Sequence, residues 1–331
     1  GVNGYGFALP AAFAMAVGPS TPSTGSGQAG SGQSGDRIAL VKLSLNRLAT
    51  DGSTQGFSIS GPQTWLLKGE GAWSYAKEES RHCPYSAAFS PDGKRVYLAG
   101  YSVGKPSWFG KMWLGGVACV DYEGDAPARP FVGDLKSNSG LNPGMACDSQ
   151  GRVYVSDFIR DAVLVHDSEG KLLKSLPVKK PTALAVHPKT GEVYVFSWHL
   201  GGAIWATHPD LQKQEKRVPT TLTVLKSADD STVVASYGLS PWITRTFRGE
   251  GDGAIGDSTA GTEIRAAVDF WSEPVTIWIT QGGGNYVLVQ PRDGKLAVKC
   301  DFGKDIAKSV QRSYVNAGPQ RLYVHPANQK L

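Results

Sequence analysis

One hairpin pattern occurs twice in this chain, in regions far apart. The segments VLVHDSEGKLLKSL (residues 163–176) and VLVQPRDGKLAVKC (residues 287–300) each contain a β-branched strand, a turn and a second strand. Gly170 and Gly294 occupy equivalent turn positions, where glycine supplies the positive φ that tight hairpins require. A hairpin that recurs in this way predicts a fold built from structural repeats.

A longer unit surrounds these hairpins, namely a small-residue strand, a turn and a β-branched or aromatic strand. Its copies are AAFSPDGKRVYLAG, MACDSQGRVYVSD, LAVHPKTGEVYVFS, VLKSADDSTVVASY, the looser AAVDFWSEPVTIWITQ, and RLYVHPANQKL, which start at residues 87, 145, 184, 224, 266 and 321. The turns recur roughly every 40 to 60 residues, a period typical of four-stranded β-propeller blades. In a propeller the first strand of each blade lines a narrow central channel, which favours small residues there.

These copies, with residues 37–71 as a further candidate, predict an all-β chain with a six- or seven-bladed propeller. The final copy reaches residue 331 where its second strand should begin. Because a propeller closes by joining its first and last blades, we expect strands outside this segment, from a following segment or a separate chain, to complete the ring.

The N-terminal region differs in composition from the rest. The stretch GFALPAAFAMAVG is apolar but shorter than the ~20 residues of a membrane span, and PSTPSTGSGQAGSGQSGD is typical of a flexible linker. We therefore predict an N-terminal segment over residues 1–36, a propeller over residues 37–331 and no membrane span. The leader-like start, together with an initial residue other than Met, favours export to the periplasm or the exterior.

Charge and cysteine content exclude several functional classes. The formal net charge is +5 with no long Lys/Arg run, so nucleic-acid binding is not expected. The four cysteines form no C-x-x-C motif, which argues against a zinc ribbon or a thioredoxin-type site and leaves buried thiols or one disulfide. No G-x-S-x-G motif indicates a nucleophilic serine.

The segment NPGMACDSQGRVYVSDFIRDAVLVHDSEGKLLKSLPVKKPTALAVHPKTGEVYV resembles NHL-repeat propellers and the related gluconolactonase/senescence-marker-type propellers. The resemblance covers residues 84–195 and 263–302. It implies a propeller and says little about activity, because one propeller scaffold supports hydrolases, lyases, receptors and binding platforms.

In propellers the ligand site usually lies at a mouth of the central channel, before the first strands and in the turns between second and third strands. These positions are basic and aromatic, which favours an anionic ligand or an acidic partner surface. The alternative is that the cations are scattered, solvated loop charges. The candidate ligand-binding residues are Arg81, His82, Asn142, Lys180, Trp198, His199, Arg265, Tyr314 and Asn316.

The resemblance to gluconolactonase implies a divalent metal held by Glu, Asn and Asp at such positions. Here Pro143 stands where the acidic ligand is expected, and Asn142 is one residue out of register. Asp157, in another loop, is the candidate to replace that acidic ligand, although no motif in the sequence supports it. We therefore expect no resident cofactor, and keep calcium or another divalent metal at Asn142 and Asp157 as the alternative.

Three functional hypotheses follow. The first is a non-catalytic binding or assembly propeller, a subunit or domain of a larger exported protein or complex, which is not an enzyme by itself. The second is a metal-dependent hydrolase or lyase of gluconolactonase-like type with altered ligands. The third is a propeller subunit that packs against a redox enzyme partner.

Overall fold

The computed structural model describes residues 14–18, 37–41, 45–48, 54–58, 86–103, 112–122, 129–133, 141–200, 208–214, 218–243, 264–280, 286–301 and 304–305. These residues form five four-stranded antiparallel sheets, each with its strands in sequence order. Sheet 1 contains β1 (Ala14–Gly18), β2 (Arg37–Val41), β3 (Leu45–Leu48) and β4 (Thr54–Ser58). Sheet 2 contains β5 (Ser86–Phe89), β6 (Arg95–Val103), β7 (Met112–Asp121) and β8 (Arg129–Val132).

The remaining sheets have the same layout. Sheet 3 contains β9 (Met145–Cys147), β10 (Val153–Asp157), β11 (Ala162–His166) and β12 (Leu172–Pro177). Sheet 4 contains β13 (Pro181–Val186), β14 (Val193–Ser197), β15 (Thr221–Leu225) and β16 (Val233–Gly238). Sheet 5 contains β17 (Arg265–Asp269), β18 (Thr276–Thr280), β19 (Tyr286–Arg292) and β20 (Lys295–Asp301).

The sheets are arranged as the blades of a β-propeller. The first strands are neighbours in chain order, with β1 beside β5, β5 beside β9, β9 beside β13 and β13 beside β17. Each first strand is the inner edge of its own sheet. The all-β propeller prediction is therefore confirmed, while the number of blades in the whole ring stays a prediction.

The repeated hairpin is the outer half of two blades. It forms β11 and β12 in sheet 3 and β19 and β20 in sheet 5, and the predicted positive φ is present at Gly170 (87°) and Gly294 (73°). In both sheets the pairing of these two strands contains one register shift. Sequence similarity between these segments thus reflects the same position in two blades.

One predicted copy was wrong. The segment that starts at Val224 does not open a blade, because β15 and β16 are the third and fourth strands of sheet 4 and β15 pairs with β14. The inner and outer hairpins of a blade have the same alternation of apolar residues, so their order is visible only from the pairing. In addition, β1 lies within the predicted N-terminal segment and pairs with β2, while the domain boundary near residue 37 stays a prediction.

Helix is scarce in the described residues. The short helix α1 (Pro209–Gln212) lies between β14 and β15, and its N-cap His208 accepts a hydrogen bond at Nδ1 from the backbone N–H of Asp210. Among the described residues no helix is long and apolar enough to cross a membrane.

The core lies between blades. One cluster joins sheets 2 and 3 through buried residues such as Tyr97, Val117 and Val155. A second joins sheets 3 and 4, and a third joins sheets 4 and 5. Because each fully buried Val, Leu or Phe side chain contributes roughly 1.5–3 kcal/mol, the contacts between sheets supply most of the apolar stabilisation.

Gly144 lies at a close approach between two blades. A Cβ atom there would lie 2.3 Å from the carbonyl oxygen of Thr182 and 2.9 Å from the Cα of Ala183, both at the start of sheet 4. These are backbone atoms and cannot move aside alone. Sheets 3 and 4 therefore meet here at a distance that only glycine permits.

We predict that Gly144→Ala lowers the free energy of unfolding by about 1–3 kcal/mol, because overpacking must push the two sheets apart. Gly238→Ala is the matched control, since a Cβ there meets nothing within 4 Å. Urea unfolding of both variants measures the difference. Equal stabilities for the two variants would show that the contact between sheets 3 and 4 is not as tight as described.

Candidate functional site

The inner strands surround a central channel with a cavity of about 560 Å³. Its wall consists of β5, β9, β13 and β17, with small side chains such as Ala87, Ala146 and Ala266. The expectation of small residues along the channel is therefore confirmed. Because each of these strands pairs on one side only, its second edge faces the channel.

The channel has two ends of different chemistry. At the strand-start mouth, where the inner strands begin, the lining includes Pro143, Gly144, Trp198, Ile264 and Arg265. At the turn mouth, where the inner strands turn into the second strands, it includes Pro91, Ser149, Lys189, Phe270 and Trp271. The predicted ligand-binding residues that the structure describes belong to the strand-start end of the blades, namely Asn142, Lys180, Trp198, His199 and Arg265.

Asn142 is held by the framework of two blades. Its Oδ1 accepts a hydrogen bond of 2.7 Å from the backbone N–H of Gly116, and its Nδ2 donates one of 2.7 Å to the carbonyl oxygen of Ser156. The side chain is buried. Both functional atoms of this amide are thus used to join sheet 2 to sheet 3.

Asp157, at the end of β10, also uses its side chain in hydrogen bonds within the framework. Its buried carboxylate accepts a hydrogen bond of 2.9 Å from the backbone N–H of Arg160 and one of 2.8 Å from the guanidinium of the same residue. The carboxylate therefore fixes the turn between β10 and β11. Arg160 itself is exposed.

These residues do not fit a divalent metal. Calcium requires several oxygen ligands that converge on one point, but Asn142 and Asp157 point their oxygens at backbone and side-chain donors. In the part of the chain that the structure describes, no three His, Cys, Asp or Glu side chains are grouped as a metal site requires.

Lys180 is a buried cation with a full set of partners. It directly precedes β13, has a left-handed backbone (φ 49°) and is 2% exposed. Its Nζ donates to the carbonyl oxygen of Phe158 (3.0 Å), to Oδ1 of Asp161 (3.0 Å) and to Oε1 of Gln214. These bonds tie the β10–β11 turn to the segment after α1. The predicted contact of Lys180 with a ligand stays a prediction.

Trp198 and Arg265 do lie in the wall of the channel. Trp198 is buried and packs against Phe196 with ring centroids 6.2 Å apart. Arg265 is the first residue of β17 and is 9% exposed, with Nη1 donating to the carbonyl oxygen of Ile264 at 2.7 Å. The alternative interpretation of the basic residues at the mouth as solvated loop charges is thus wrong for Lys180 and Arg265, because both side chains are buried.

His199 follows Trp198 and is buried. Burial disfavours the charged imidazolium and lowers the pKa of His199 to about 4. The side chain is therefore neutral at physiological pH, and its predicted contact with a ligand stays a prediction. Arg81, His82, Tyr314 and Asn316 lie outside the described residues.

The described cysteines are free thiols. Cys119 is buried, Cys147 and Cys300 are partly buried, and no disulfide joins these three. Burial raises the pKa of the Cys119 thiol to about 11. Such a thiol is poorly reactive at neutral pH, in agreement with the expected packing role. Cys83 lies outside the described residues.

Sequence reasoning missed the partners that anchor Lys180. Asp161 and Gln214 are polar residues in turns, and neither belongs to a motif. They are separated from Lys180 by 19 and 34 positions and meet it only in the folded chain. The aromatic pair at the turn mouth was also missed, although its turn lacks the glycine found in the other blades.

We predict that Lys180→Met destabilises the protein by about 1–3 kcal/mol, because buried acceptors lose their donor. Lys179→Met is the control, since this neighbouring lysine is exposed and should change stability by less than about 0.5 kcal/mol. Thermal and urea unfolding give both values. A stability loss shared by the two variants would contradict the assignment of Lys180 as an anchor.

We predict that His199 makes stability depend on pH below neutrality. The unfolded residue binds a proton as the pH falls through about 6.5 whereas the folded one does so near 4, so stability is lost over this interval, by roughly 3 kcal/mol at most. The slope of unfolding free energy against pH should be smaller in His199→Gln. An NMR titration of His199 in the wild type with a midpoint near 6.5 would contradict this prediction.

Comparison with known proteins agrees with this architecture. No curated protein matches the chain. The family model described as SMP-30/Gluconolactonase/LRE-like region matches residues 65–199, fewer than half of the chain. The matched segment contains sheets 2 and 3 and the first two strands of sheet 4, and the family is one of β-propellers. Over these residues the chain is similar to the SMP-30/gluconolactonase propellers.

Proposed function

We propose that this protein is a binding propeller that recognises an anionic ligand or an acidic segment of a partner at the strand-start mouth of its channel. The observation that carries the proposal is Arg265, a buried guanidinium in the channel wall. A positive charge in a concave, partly desolvated site attracts anions more strongly than one in open solvent.

Two neighbours support this assignment. Trp198 lines the same mouth and provides a rigid aromatic wall, and aromatic walls with a few polar groups are typical of small-ligand pockets. Lys180 has all three of its donors directed to protein acceptors, so it serves to hold the mouth in shape. Arg265 lines the channel itself, and it is the cation that we assign to the ligand.

The proposal is for a non-catalytic role. The two residues considered as metal ligands, Asn142 and Asp157, are used in framework hydrogen bonds. The protein then acts as a subunit or domain of a larger exported assembly, in the periplasm or outside the cell, and its partner supplies the acidic group. Packing against a redox enzyme is one form of such an assembly.

The second candidate is a hydrolase or lyase of gluconolactonase-like type, and it is favoured by the family match over residues 65–199. Elemental analysis of the purified protein separates the two. A divalent metal retained after dialysis at about one per chain would support the enzyme and contradict the non-catalytic role. In that case the metal's ligands lie outside Asn142 and Asp157.

We predict that citrate, used as a polyanionic probe, raises the melting temperature of the full chain in a saturable way at constant ionic strength. A ligand that binds only the native state at ten times its Kd adds about 1.4 kcal/mol. Arg265→Gln should abolish the shift. Arg292→Gln, which removes an exposed guanidinium on β19, should preserve it. An equal citrate shift in wild type and Arg265→Gln would refute the assigned site.

A further inference from the structure

The turns at the turn mouth follow one design in three of the described blades. The residue that ends or follows the inner strand uses its side chain to accept a hydrogen bond from the backbone N–H two positions later. The pairs are Asp148 with Gln150 (2.9 Å), His187 with Lys189 (3.1 Å) and Asp269 with Trp271 (2.8 Å). The same position therefore holds a polar residue in sheets 3 and 4 and a tryptophan in sheet 5.

Trp271 is unusual for such a position. The residue is 42% exposed and lies at the rim of the channel, where turn tips normally carry polar residues. The turn is fixed, since the carboxylate of Asp269 also accepts a hydrogen bond of 2.7 Å from Ser272. A large aromatic surface is thus presented to solvent on a preorganised turn.

Phe270 is a second aromatic residue at this rim, and its ring is held in place by packing. Its ring packs edge-on against His187 with centroids 4.8 Å apart and against Tyr194 at 5.2 Å. The imidazole Nδ1 of His187 accepts hydrogen bonds from the backbone N–H groups of Lys189 and Thr190. These two bonds fix the orientation of the imidazole, which contributes an aromatic edge to the rim.

The charge of this turn has the opposite sign to that of the whole chain. Residues 266–291 contain Asp269 and Glu273 and no lysine or arginine, in a chain of net charge +5. Lys299 of β20 reaches the other side of this turn, where its Nζ donates to Oγ1 of Thr276 at 3.4 Å. Among the described residues, Lys189 on the adjacent turn and Arg265 are the lysine and arginine side chains that line the channel. Arg265 is four positions before Asp269 along β17, about 13 Å away at 3.3 Å per residue.

We propose that the turn mouth binds a small organic cation, of the quaternary or alkylated ammonium class, on the face of Trp271. Tryptophan is the best aromatic partner for a cation, and Asp269 and Glu273 supply the negative potential beside it. The adjoining cavity of about 560 Å³ has the size of a small-ligand pocket. This site is separate from the anion site at the strand-start mouth.

Choline and its uncharged isostere 3,3-dimethyl-1-butanol form the test pair, measured by saturation-transfer NMR and calorimetry on the full chain. Choline should bind in a saturable way and the alcohol should not. Trp271→Ala should weaken choline binding by about three- to thirtyfold, and Trp271→Phe by less, as expected for cation–π contacts. Glu273→Gln should also weaken it, since this exposed carboxylate makes no hydrogen bond that holds the turn.

Leu172→Ala is the matched control, because Leu172 is an exposed apolar residue of β12, outside the channel lining. It should leave choline binding unchanged. Equal binding of choline and the alcohol, unchanged binding in Trp271→Ala, or no saturable binding of choline would each overturn the proposal. Since Trp271→Ala leaves Arg265 intact, its citrate response reports separately on the strand-start mouth.

Discussion

Contact between neighbouring sheets is the interaction on which this structure depends. Each sheet has four short strands, and an isolated sheet of this kind leaves both faces in water. The buried residues gather between sheets 2 and 3, between sheets 3 and 4 and between sheets 4 and 5. Gly144 shows how close this packing is, because only the absence of a Cβ atom lets sheet 3 meet the backbone of sheet 4.

Polar anchors complete what apolar packing begins. Asn142 joins the β7 strand of sheet 2 to the β10 strand of sheet 3 through two hydrogen bonds of its amide. Lys180 joins the β10–β11 turn to the segment after α1. Buried polar groups are costly unless they are fully paired, and both side chains meet this condition. They hold the strand-start mouth in shape. Their positions in the repeat had predicted ligand contacts, whereas the hydrogen bonds in the structure give them a structural role.

The two mouths of the channel differ because the blade repeat is not uniform. The inner strands β5, β9, β13 and β17 contribute small residues to the wall, whereas the residues at their ends vary from blade to blade. Sheet 5 carries Arg265 at one end of its inner strand and the Phe270–Trp271 pair beyond the other. A single blade thus places a cation at one mouth and an exposed aromatic surface at the other. The proposed anion and cation sites follow from this one departure from the repeat.

The amino-acid sequence alone determined the propeller, the two outer hairpins with Gly170 and Gly294, and the small residues along the channel. These features arise from alternation and turn chemistry, which are local properties of the chain. The sequence could not distinguish the inner from the outer hairpin of a blade, so the copy at Val224 was wrongly predicted to open a blade. Only the pairing of β15 with β14 shows its place. Nor could it show that Lys180 is buried among Phe158, Asp161 and Gln214. It also could not show that the amide of Asn142 forms hydrogen bonds to two different sheets. Those partners are distant along the chain, and only tertiary packing decides which polar groups meet and which remain open to a ligand.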